Sequence, residues 1–84
     1  MDKFSDKLKE LRIENNLTQK DVAKMVGISI TCYAGYEQGY REPDLKTLKK
    51  ICLVLNTSAD FLLGLEEESN TSKIYFNIQN NYNK

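Results

Sequence analysis

GISITCYAGYEQG, residues 27–39, is the stretch on which the fold turns. Gly27 ends one helical pattern and Gly39 ends the next, with only Ile28 and Ser29 between Gly27 and the second pattern. Glycine takes the left-handed conformation that closes a helix at low cost. A serine hydroxyl accepts from the free amides of a first turn. The stretch therefore predicts two helices joined by a tight, glycine-containing turn. Its second helix carries no Lys or Arg. With Ile30 at zero and about 100° per residue, Tyr33 falls near ~300° and Tyr36 near ~240°. Thr31, Ala34, Gly35 and Gln38 cluster between about 40° and 140°. The tyrosines predict a core face. The small and polar residues predict an outward face, with Ile30 at its edge.

Reading outward, Phe4, Leu8 and Leu11 recur at helical spacing and predict a helix over roughly residues 3–15. Thr18 followed by Asp21 is a helix-start signal, since hydroxyl and carboxylate satisfy free amides of the first turn. Val22, Ala23 and Val26 then point inward. Downstream, Pro43 disfavours helix at Glu42, so YREP reads as a loop. Asp44 caps a fourth helix whose apolar face is Leu45, Leu48, Ile51, Cys52 and Leu55. NTSADFLLG gives a short fifth helix, capped at Thr57 or Ser58 and closed by Gly64. The expected architecture is all-α: a five-helix domain over residues 1–66. Residues 67–84 form a tail in which Ile74, Phe76 and Ile78 alternate with Tyr75 and Asn77, a strand-like period of two. An isolated strand has no support in a helical domain. The tail is therefore expected either to be disordered or to pair with a second copy or a partner.

Composition narrows the chemistry. Twelve basic and twelve acidic residues leave a formal net charge of zero. A role on nucleic acid must then rest on local placement of charge, not on a basic excess. No apolar run approaches the ~20 residues of a membrane span. From the charged start MDKFSDKLKE no signal peptide is expected. Without His or a CxxC pair, no zinc site is expected. Cys32 and Cys52 lie inside helical patterns and read as reduced thiols in a cytoplasmic protein, with a disulfide as the minor reading. There is no nucleophile motif and no phosphate-binding glycine loop, so no enzyme activity and no cofactor are expected.

Longer segments carry a family resemblance. LKELRIENNLTQKDVAKMVGIS (8–29) and YEQGYREPDLKTLKKICLVLNTSADFLLG (36–64) resemble the Xre/Cro-like, phage lambda repressor-like family of helix-turn-helix DNA-binding domains. The resemblance implies five helices, the third entering the major groove of double-stranded DNA. It implies homodimers on two half-sites about one helical turn apart. It also implies that Gln19 bonds a phosphate, that Tyr40 and Arg41 touch the other strand's backbone, and that Arg12 and Glu37 form a structural ion pair. The DNA-reading face would comprise Ser29, Ile30, Thr31, Ala34, Gly35 and Gln38. Members of the family often read bases there with Arg, Gln, Asn or Ser. In this chain Ile30 and Ala34 are suited to thymine methyls, and Gly35 lets the backbone approach the duplex closely, at about 1 kcal/mol of helix stability. Such a face suits A·T-rich sites read by methyl contact and shape. Lys46 is the best-placed lysine of the fourth helix for a phosphate, with plain solvation as the other reading.

The leading function is a transcriptional regulator, a repressor occupying an operator as a dimer in a bacterial or phage-encoded, nucleoid-associated setting. Phe61, Leu62 and Leu65 give helix 5 surplus apolar side chains and are the expected dimer interface. The alternative is an antitoxin or anti-repressor type of interaction module with weak DNA binding, engaging a protein partner through the tail by strand addition.

Overall fold

Four of the five helices begin where a side chain accepts from the first turn. The computed structural model describes residues 3–65, and these form α1 (Phe4–Glu14), α2 (Gln19–Val26), α3 (Ile30–Gln38), α4 (Leu45–Leu55) and α5 (Ala59–Leu62). Thr18 Oγ1 accepts from the Asp21 amide at 3.0 Å, and Asp21 Oδ2 accepts from the Thr18 amide at 2.9 Å. Ser29 accepts from the Cys32 amide and Asp44 from the Thr47 amide. Ser58, not Thr57, accepts from Phe61. Removing such a cap costs about 1 kcal/mol. Gly27 (φ +90°) and Gly39 (φ +83°) close α2 and α3 in the left-handed region, and so fix both ends of the corner.

The core is one cluster: Leu8, Val22, Ala23, Val26, Tyr33, Tyr36, Ile51, Leu55 and Leu62. α3 packs against α1 and α2, α4 packs on α2, and α5 lies against α1 and α4. Tyr33 and Tyr36 meet edge to face, centroids 6.2 Å apart, a geometry worth about 0.5–1.5 kcal/mol beyond the area it buries. The tyrosine face of α3 is thus the core face, as its angular positions predict. Both cysteines are free thiols and half-buried.

One expectation fails at α5 and another at the start of α4. Leu62, read as an interface residue, is fully buried. α5 is a single turn set against both α1 and α4, so its inward residue fills the core under both. Phe61 is half-buried, and its ring receives the Lys7 ammonium 5.6 Å from its centroid. That contact places Phe61 against α1. Leu65 is half-buried as well. The exposed leucines lie elsewhere: Leu45, Leu53 and Leu63 are 83%, 72% and 57% exposed. Leu45, counted in the apolar face of the fourth helix, belongs to its first turn, outside the core cluster. The alternating segment at 74–78 lies outside the described residues.

Candidate nucleic-acid interface

α3 presents two different faces. Inward, Tyr33 and Tyr36 fix its rotation about its own axis. Outward, Thr31 and Gln38 are exposed, Ile30 is half-exposed and Ala34 is partly covered. This is the face that the angular positions predict. Ser29 is exposed at the start of the helix, with its hydroxyl already engaged as the cap. An exposed helix face of small and apolar side chains, bounded by hydroxyls and one amide, can reach thymine methyls and accept or donate single hydrogen bonds.

What aims this face is a charged joint behind it. Arg12 Nε donates to Glu37 Oε2 at 2.7 Å and Arg12 Nη2 donates to Glu37 Oε1 at 3.2 Å. The side chains retain only 12% and 3% of their exposure. Arg12 Nη1 also donates to the carbonyl of Leu17, at 2.8 Å. A bidentate pair of this kind is directional as well as strong. It ties α1 to the last turn of α3, and to the residue before the α2 cap. Burial by itself would raise the Glu37 carboxyl, but the Arg12 guanidinium and the other donors around it outweigh burial and hold it below the usual carboxylate range. Glu37 in turn raises Arg12 above its ordinary value. The Tyr33 hydroxyl is enclosed beside this pair without a partner of good hydrogen-bond geometry. Burial first, and then the Glu37 carboxylate, pushes it far above an ordinary phenol, so it stays neutral.

Gln19 belongs to the same joint. Its Nε2 donates to Glu37 Oε1 at 3.1 Å. The family resemblance implies a phosphate contact for Gln19; the bond to Glu37 is not legible in the sequence, because the first residue of α2 and the last turn of α3 meet only once the corner has closed. One amide hydrogen of Gln19 is committed to Glu37. Its geometry leaves the second for another acceptor.

The loop after α3 brings a correction. Gly35, expected on the open groove face, is buried. The amides of Tyr40 and Arg41 both donate to the Gly35 carbonyl, at 2.9 and 3.2 Å. This folds the loop back over the last turn of α3, and the Arg41 stem lies across Gly35. Spacing within a helix carries no information about where the following loop returns. Tyr40 is 82% exposed and Arg41 is exposed. Lys46 is exposed in the first turn of α4 beside Asp44. Hydrogen bonds from Thr47, and then the charges of Lys46 and Lys50, hold Asp44 below the usual range. The start of α4 is thus a mixed-charge edge. Among the described residues no cluster of His, Cys, Asp and Glu could hold a metal ion, and no helix is long and apolar enough to cross a membrane.

Comparison with known proteins agrees with this geometry. A family model described as helix-turn-helix matches residues 8–62. The chain is 47% identical over 60 residues to the uncharacterized HTH-type transcriptional regulator YqaE of Bacillus subtilis (strain 168), a match covering 71% of this chain and 52% of YqaE. It is 41% identical over 63 residues to the HTH-type transcriptional regulator ImmR of the same organism, covering 75% of this chain and 50% of ImmR. The chain thus spans about half the length of these curated relatives. Among solved structures, the P22 c2 repressor protein in complex with a synthetic operator superposes with a TM-score of 0.73 at 25% identity, over 76% of this chain and 97% of that one.

Proposed function

Because the chain belongs to the helix-turn-helix family of the Xre/Cro type, we propose that it is a sequence-specific DNA-binding transcriptional regulator, a repressor that occupies an operator as a homodimer with α3 in the major groove. The observation that carries this reading is the construction of α3. Its inner face is locked by Tyr33, Tyr36 and the Glu37–Arg12 pair, and its outer face is left open. A helix held on one side by a rigid joint is what groove reading needs, since base contacts demand fixed side-chain origins.

In this proposal Ile30 and Ala34 meet thymine methyls, while Ser29, Thr31 and Gln38 supply the single hydrogen bonds. Tyr40, Arg41 and Lys46 contact phosphates, and Gln19 offers its second amide hydrogen to another. Glu37 holds the Gln19 amide in orientation for that contact. The second copy is assigned to the exposed leucines of α4 and of the cap that ends α5, Leu45, Leu53 and Leu63, in place of the buried Leu62. Regulation needs no catalytic step: occupancy of a promoter in the cytoplasm suffices.

Selection of sites from a random duplex library tests the proposal. The expected result is an enriched A·T-rich inverted repeat with half-sites about one helical turn apart. Absence of any enriched sequence would sink it, and would favour the antitoxin or anti-repressor reading.

A further inference from the structure

We infer that Gly35 is a positioning residue for Arg41: it leaves the notch in which the Arg41 stem is seated, so that the guanidinium is presented to a DNA phosphate. The inference rests on the DNA-binding function proposed above. A Cβ placed on Gly35 would stand 3.0 Å from Arg41 Cδ, 3.1 Å from Cγ and 3.4 Å from Nε. Ordinary carbon contacts lie near 3.5–4.0 Å. The Arg41 stem therefore occupies space that any other side chain at position 35 would claim.

Three further observations converge on this arrangement. First, Gly35 lies inside α3 with an ordinary helical backbone, unlike Gly27 and Gly39, whose φ values are positive. Glycine is a poor helix former, so the backbone gives no reason for it here. Room for a neighbour does. Second, the amides of Tyr40 and Arg41 both bond the Gly35 carbonyl, so the backbone of Arg41 is anchored to the residue over which its side chain lies. Third, Gly35 is buried while Arg41 is exposed, which places the apolar stem against protein and leaves the charged end to solvent. A guanidinium whose stem is already ordered loses less conformational freedom on meeting a phosphate. Gly35 thus acts on DNA through Arg41, without touching the duplex.

The test is a double-mutant cycle on the 84-residue chain, with Gly35→Ala, Arg41→Ala and both together. Each is titrated by fluorescence anisotropy against the selected duplex over a range of salt. Gly35→Ala adds a good helix former against a flexible side chain, and circular dichroism is expected to show an intact fold at least as stable as that of the unaltered chain. Arg41→Ala should weaken binding to all duplexes alike and reduce the salt slope by about 1. Gly35→Ala should weaken binding about threefold when Arg41 is present, by loss of preorganisation, and have no effect when Arg41 is already alanine. An equal loss in both backgrounds would overturn the inference and assign Gly35 to direct contact with the duplex. So would undiminished affinity of Gly35→Ala with Arg41 in place. If Arg41→Ala changed neither affinity nor slope, the positioning role would fall while operator binding stood. If the unaltered chain selected no site, both would fall.

Discussion

The two faces of α3 differ in what they ask of a residue. The inner face is specified atom by atom: Tyr33, Tyr36 and Glu37 fill defined space and meet partners on α1 and α2. The outer face, at Ile30, Thr31, Ala34 and Gln38, meets no such demand from the fold. Stability should therefore be concentrated on one side of a nine-residue helix and recognition on the other. Such a chain can change which DNA it reads without refolding, provided that the joint behind the helix is untouched.

The strongest way to break this contrast is Glu37→Ala. It would leave the Arg12 guanidinium largely buried without its carboxylate, and losing one partner of such a pair costs about 3–5 kcal/mol. Urea unfolding is expected to show that loss. An unchanged midpoint would mean that the joint does not hold α3. The same pair predicts an acid dependence. The folded Glu37 titrates below the ordinary carboxylate range, so its contribution is complete above the pKa of the unfolded chain and disappears as pH falls through the lower folded value. In melts taken on descending pH, Glu37→Gln should reduce the slope below the ordinary glutamate range.

Next in size is a pair of neighbours in α5 and its cap. Leu62→Ala should cost about 2–5 kcal/mol through the cavity it leaves in the core. Leu63→Ala should stay within about 0.5 kcal/mol for the folded domain, yet lower self-association in sedimentation experiments. Equal costs for the two would contradict the inward assignment of Leu62.

A smaller effect is expected at Thr18→Ala. It removes half of the capping box and should cost about 1 kcal/mol in thermal or urea unfolding.

The smallest effect on folding, and the one that sharpens the contrast most, is Ile30→Ala. Stability should move by no more than about 0.5 kcal/mol. Affinity for the selected duplex should fall about fourfold or more, as expected for the loss of one or more methyl contacts. Replacing the contacted thymine by uracil should cost the intact chain a similar factor and cost the variant nothing.

How much of this was readable in the sequence depends on the range of the interaction. The caps at Thr18, Ser29 and Asp44 follow from residues three apart, and the structure has each of them. The split of α3 into a tyrosine face and a small-residue face follows from helical geometry alone, and the burial pattern agrees at Tyr33, Tyr36, Thr31 and Gln38 but not at Gly35. The Arg12–Glu37 pair, 25 residues apart in sequence, came from family resemblance and not from spacing. Three features stayed hidden for one reason: they depend on where elements meet after folding. A single-turn helix has no periodicity from which to tell Leu62 from Leu63. The bond from Gln19 to Glu37 needs the closed corner. The burial of Gly35 needs the loop after α3 to return over it, and no local pattern predicts that course.

In the proposed function the open face of α3 reads sequence. Anisotropy titration of the intact chain against the selected duplex and a scrambled duplex of the same composition, at two salt concentrations, tests it most directly. At least about a hundredfold preference for the selected duplex, retained at the higher salt, is expected. Equal binding to both duplexes, vanishing together as salt rises, would contradict it: the chain would then touch DNA by charge alone, and α3 would keep the shape of a reading helix without reading.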